Sequence, residues 1–170
     1  DRFAEAESKD NGKPITLAKS VDIPRAASNF RFFGHAITQF HSESHETKSE
    51  KTINYTLRHP LGVVGCISPW NLPLYLLTWK IAPALAAGNC VIAKPSEITP
   101  FCGIMFAEIL DAAKVPAGVF NLVNGMGPIV GAALSEHKDI DMMHFTGSTR
   151  AGVAVAIASA PTVKRVAQEL

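Results

Sequence analysis

From Pro60 onward the sequence alternates short apolar runs with helical stretches, and this rhythm narrows the choice of fold more than any other feature. Residues 62–67, 90–93, 119–123, 142–145 and 163–168 read as strands. Between them, 74–87 (closed by Gly88 and Asn89), 99 to about 113, 128–135 and 148–158 read as helices. Strands that are apolar on both faces need helices on both faces, which is the condition of a parallel sheet. The expected fold class is therefore α/β, a doubly wound, Rossmann-like parallel sheet over 61–170, preceded by N-terminal helices.

The N-terminal part reads differently. Residues 1–42 look mostly helical, with Asp22-Ile23-Pro24 as a cap followed by proline in the first turn. Phe30, Phe33, Ile37 and Phe40 then recur at helical spacing. The polar stretch 42–52 reads as a loop, and 53–59 alternates with period two like a half-exposed strand. The expected divisions are a helical segment (1–45), a strand-bearing arm (46–60) and the sheet domain (61–170).

In a doubly wound sheet, ligands bind beyond the carboxyl ends of the strands. Four successive strand ends carry suitable chemistry. The first is Ser68-Pro69-Trp70-Asn71-Leu72-Pro73. Its prolines stiffen the turn, and Asn71 offers an amide that either stabilises an oxyanion or caps the next helix. The second is Lys94-Pro95-Ser96-Glu97. There a carboxylate can accept from both hydroxyls of a ribose and repel a 2′-phosphate, or simply pair with the lysine. The third, Asn124-Gly125-Met126-Gly127-Pro128, lets backbone approach a ligand or turns as a plain loop. The fourth, Phe145-Thr146-Gly147-Ser148-Thr149-Arg150-Ala151-Gly152, opens a helix whose free N–H groups suit a pyrophosphate. It is not a P-loop, because Val153 stands where that motif needs lysine.

Taken together, these residues resemble the aldehyde dehydrogenase superfamily. Pro69-Trp70-Asn71-Leu72-Pro73, Lys94-Pro95-Ser96-Glu97, Pro116-Ala117-Gly118-Val119-Phe120-Asn121 and Phe145-Thr146-Gly147-Ser148-Thr149 follow that family's order. Val166-Ala167-Gln168-Glu169-Leu170 resembles the start of its Glu-Leu-Gly-Gly-Lys motif. The resemblance implies oxidation of an aldehyde to a carboxylic acid with NAD, through a cysteine thiohemiacetal and thioester. Asn71 would donate to the oxyanion, and Glu169 would be the base for hydrolysis. Ile67, Ser68, Pro69, Trp70, Lys94, Ser96, Glu97, Gly127, Phe145, Gly147, Ser148 and Gly152 would bind the coenzyme. The strand near Ile53 would belong to an oligomerisation arm, giving a homodimer or homotetramer. Asp22-Ile23-Pro24-Arg25, Asn29-Phe30-Arg31-Phe32-Phe33 and the stretch from Ser68 to Lys80 resemble the subgroup acting on 2-aminomuconic and 2-hydroxymuconic semialdehydes.

One part of the pattern is missing. The family's nucleophilic cysteine lies beyond Glu169, and none of Cys66, Cys90 and Cys102 matches it. The catalytic domain is therefore expected in a continuation of the chain, and the missing initial Met points to residues upstream. A coenzyme-binding module without catalysis is the alternative, and a reductase or acyl-phosphate-forming relative is disfavoured by Glu169.

Composition removes other classes. A net charge of +1 leaves no electrostatic footprint for nucleic acid. The richest apolar window, 72–87, is broken by Pro73, Lys80 and Pro83, short of the ~18 residues of a membrane span. The charged N-terminus has no signal-peptide core, so a cytoplasmic protein is expected. An odd number of cysteines fits a reducing compartment better than a disulfide framework. His35, His41 and His45 lack Glu or Cys partners at a metal-binding spacing, and no metal is expected.

Overall fold

The structure is a computed structural model and describes residues 1–170. Five strands form one parallel sheet: β3 (Val63–Ile67), β4 (Cys90–Lys94), β5 (Phe120–Leu122), β6 (Met142–Thr146) and β7 (Arg165–Glu169). Their order is β5-β4-β3-β6-β7. The chain thus builds outward from β3 in one direction, then crosses back to add β6 and β7 on the other side.

Helices cover both faces. Helices α4 (Pro73–Ala86) and α5 (Phe101–Ala112) pack on one, with Val64, Cys66, Leu77, Ile81, Val91 and Phe106 in the core between. Over them lie α1 (Arg2–Asn11) and α3 (Ile23–Thr38), through Ala6, Ala26 and Phe30. On the opposite face α6 (Ala132–Glu136) and α7 (Thr149–Ser159) bury Leu134 and Val155 against Met143 and Phe145. Alternation along β6 explains the split: Met143 and Phe145 point one way, while Met142, His144 and Thr146 point the other. No helix is long and apolar enough to cross a membrane.

Three expectations change. Asp22 does not cap a helix. It lies in continuous helical backbone between α2 (Ile15–Leu17) and α3, and its buried carboxylate pairs with Lys13 instead. A π-turn over Ala18–Asp22 precedes Pro24, which has no N–H to continue the regular ladder. Residues 42–52 are not simply a loop: β1 (Ser44–Thr47) pairs antiparallel with β2 (Thr52–Tyr55). Backbone pairing with β2 makes β1 a strand, and the polar side chains of β1 carry no alternation that would announce it. The third change concerns the last strand, which starts at Arg165 because Val163 adopts a left-handed turn, φ 54°.

The aromatic stripe of α3 is only half used. Phe30 meets Phe106 with ring centroids 5.3 Å apart, and Phe33 meets Trp79 at 5.8 Å. Ile37 and Phe40 stay exposed.

The entry to β3 is tied to β6 by Asp141, whose carboxylate accepts from the Val63 N–H at 2.8 Å. Gly62 makes this approach possible, with φ 128° and room for no side chain: a Cβ there would lie 2.2 Å from Asp141 Oδ2. Gly62→Ala is expected to destabilise the fold by about 1–3 kcal/mol in denaturant titration, and an unchanged midpoint would remove Gly62 from the link between the strands.

Candidate active site at the switch point

β3 and β6 lie side by side in parallel, with Ile67 opposite Phe145. The chain leaves β3 for α4 on one face and β6 for α7 on the other, so their carboxyl ends cannot be covered by one connection. This is the crevice expected of a doubly wound sheet. Here it is a cleft of about 1240 Å³.

The residues singled out from the sequence converge on it. Ile67, Ser68, Pro69, Trp70 and Asn71 line it from the end of β3. Lys94, Ser96 and Glu97 enter from β4, and Gly127 from the loop after β5. Phe145, Gly147 and Ser148 come from β6, and Glu169 from the end of β7. Gly152 does not line the cleft. It is buried in α7 beneath Leu170, whose side chain occupies the place its Cβ would take.

One side of the cleft is a network around Glu97. The Lys94 ammonium is buried and donates to Pro95 O at 2.8 Å and to Glu97 Oε2 at 3.2 Å. Glu97 Oε1 accepts from the Gly127 N–H at 3.3 Å, which ties the loop after β5 to the one after β4. The Glu97 carboxyl is held below the usual carboxylate range, chiefly by its own backbone N–H and then by those of Gly127 and the Lys94 ammonium. Across from it, Ser148 caps α7 by accepting from the Ala151 N–H at 3.3 Å. The first four N–H groups of a helix have no partner within it, so this cap leaves others free for an anion. Ser68 adds a buried hydroxyl with no partner in the protein. An orphaned hydroxyl, a fixed carboxylate and a free helix N-terminus fit the hydroxyls and phosphates of a dinucleotide.

The other side holds Asn71 and Glu169. Asn71 is exposed, and its side chain does not cap α4. That task falls to Glu7, whose Oε2 accepts from the Leu74 N–H at 3.4 Å. The Asn71 amide is left free toward the cleft. Glu169 Oε2 accepts from the Thr146 hydroxyl at 3.2 Å, and the same oxygen of Thr146 accepts from Lys80 Nζ at 2.5 Å. Lys80 is fully buried. Burial pulls its pKa below the usual lysine value, an effect opposed by Glu169.

Sequence reasoning missed Lys80 and Thr146. Thr146 lay inside a quoted motif, and Lys80 is the one charge in an otherwise apolar helix, a signal that it serves something across the sheet. None of the three cysteines lines the cleft. Burial pushes the thiols of Cys66 and Cys102 up to about 12, which removes them as nucleophiles near neutral pH.

The model of the aldehyde dehydrogenase family matches residues 1–170. The chain belongs to this family. Human 2-aminomuconic semialdehyde dehydrogenase is 51% identical to it over 170 residues, which are 100% of this chain and 35% of that protein. The 2-hydroxymuconic semialdehyde dehydrogenase of Pseudomonas sp. (strain CF600) is 49% identical over 174 residues, covering 100% of this chain and 36% of that protein. Among solved structures, PnpE in complex with nicotinamide adenine dinucleotide superposes with a TM-score of 0.96 at 40% identity, over 100% of this chain and 35% of that one. The chain therefore spans about a third of the length of these members of the family.

His144, between Thr146 and the core, adds a pH dependence. Strand register places it between Cys66 and Ala167, and burial, with the Lys80 charge, lowers its pKa to about 4. The unfolded chain takes up this proton near pH 6.5 but the folded chain only near pH 4, so stability falls as pH drops through that window. Thermal melts of His144→Gln should fall less steeply than the unmodified protein between pH 6.5 and pH 4; parallel curves would contradict the assignment.

Proposed function

We propose that the full-length protein oxidises an aldehyde to its carboxylic acid with NAD, and that residues 1–170 supply the coenzyme cleft and two groups of the reacting centre. The observation that carries this reading is one cleft holding the Lys94–Glu97–Gly127 network, Asn71 and Glu169. NAD, when bound, supplies the hydride acceptor.

The coenzyme side works by fixed hydrogen bonding. Glu97 keeps its charge, so it accepts from both hydroxyls of a ribose and repels a 2′-phosphate there. The N-terminus of α7 and Ser148 hold the pyrophosphate. The orphaned Ser68 hydroxyl gains a partner on binding. Asn71 donates a neutral amide to the oxygen that gains charge when the aldehyde carbon is attacked. Glu169 accepts a proton from the water that hydrolyses the acyl group, while Thr146 fixes the orientation of its carboxylate. The nucleophile comes from outside residues 1–170.

The substrate is a muconic-type semialdehyde. About half of the residues across the whole chain match relatives named for such substrates, which supports this class. The protein works in the cytoplasm as a homodimer or homotetramer. The β1–β2 hairpin supports the assembly, because it forms a separate two-stranded sheet with unpaired outer edges and exposes Ile53 and Tyr55 on β2 and Leu57 just beyond it.

Two substitutions test the proposal in the full-length protein. Asn71→Ala should lower kcat/KM by ~10²- to 10³-fold, the cost of losing one oxyanion donor; an unchanged value would end that role. Glu97→Gln should weaken NAD by about tenfold or more, a larger effect than its change in stability, since a charged acceptor is lost. Equal NAD affinity with lowered stability would make Glu97 no more than the partner of Lys94.

A further inference from the structure

The turn that carries Asn71 is held from outside the sheet domain, by the segment that ends α1. Gly12, with φ 77°, closes α1 in a left-handed turn, and its N–H returns to Ser8 O at 3.0 Å. The Ser8 hydroxyl donates to Lys13 O at 2.8 Å. The Lys13 ammonium then plugs into a buried pair of carboxylates, Glu7 at 3.0 Å and Asp22. Both acids are almost wholly inaccessible, so the segment cannot shift without uncovering charge.

Within this anchored loop the Asn11 amide is used at both ends. Its oxygen accepts from the Lys13 N–H at 3.0 Å. With the oxygen taken, only the NH2 group faces outward, and Nδ2 donates to the carbonyl oxygen of Asn71 at 3.4 Å. Glu7, in the same segment, accepts from the Leu74 N–H just beyond. The Asn71 turn is therefore gripped at its own carbonyl and at the start of α4, while its side chain has no other restraint.

We propose that Asn11 is a positioning residue for Asn71: it holds the Asn71 carbonyl so that the side-chain amide stays aimed at the developing oxyanion. This rests on the reading of Asn71 as the oxyanion donor. It extends the reacting centre to a residue 60 positions away, on an element outside the cleft lining.

Two variants of the full-length enzyme separate positioning from general support. Asn11→Ala removes both hydrogen bonds. Asn11→Asp keeps an oxygen for the Lys13 N–H but sets an acceptor against the Asn71 carbonyl. Both should lower kcat/KM for the aldehyde by about tenfold, the scale of a small misplacement of a reacting group, with NAD affinity unchanged and, for Asn11→Asp, which keeps the Lys13 hydrogen bond, an unchanged melting temperature as well. Adding either change to Asn71→Ala should cost nothing further, because the group being positioned is already gone. A wild-type rate for Asn11→Asp, or losses that add to those of Asn71→Ala, would overturn the positioning role while leaving Asn71 as donor. If Asn71→Ala is itself fully active, the oxyanion reading falls and this one falls with it.

Discussion

The parallel pairing of β3 with β6 is the constraint on which the rest of the structure depends. Because the chain departs from these neighbours to opposite faces, no connection can close the space above their carboxyl ends. Each cleft-lining group given a role enters that space from a strand end. Asn71 follows β3, Glu97 follows β4, Gly127 follows β5, Ser148 follows β6, and Glu169 ends β7. The residues are spread from Asn71 to Glu169, and one topological fact collects them.

Buried cations then give the cleft its rigidity. Removing a charge from water costs on the order of several kcal/mol, so each must be met by well-placed partners. Lys94 is met by Pro95 O and Glu97, Lys80 by Thr146 with Glu169 beyond it, and Lys13 by Glu7 and Asp22. Each arrangement ends at a group facing the cleft or at the turn that holds one: Glu97 goes on to Gly127, Thr146 to Glu169, and Glu7 to Leu74. Such contacts contribute little net stability. Their effect is to leave few alternative positions for Glu97, Glu169 and the Asn71 turn, the kind of preorganisation that electrostatic catalysis needs.

Much of this was legible in the sequence. The β-α alternation after Pro60 announced the parallel sheet because a buried strand must be apolar on both faces. The motifs at the strand ends were legible because a turn that leaves a strand end open carries unusual residues, such as two prolines around Asn71 or a lysine beside Glu97. Where the reading departed from the structure, the deciding contact was remote or purely backbone. Asp22 had the look of a cap, yet Lys13 claimed it. The β1 strand had no pattern because main-chain pairing with β2 made it. Lys80 read as an interruption of an apolar helix, and only the packing of α4 on the sheet brought it to Thr146.

By itself the sequence determined the fold class, the family resemblance and which turns were worth singling out, since periodicity and turn chemistry act over a few residues and need no partner to be recognised. Tertiary structure alone decided what each polar group does. It turned Asn71 away from capping α4 by bringing in Glu7, set Gly152 under Leu170 instead of in the cleft, and joined Asn11 to Asn71. A hydrogen bond or a buried charge is defined by its partner, and partners that lie tens of residues apart meet only once the chain has packed.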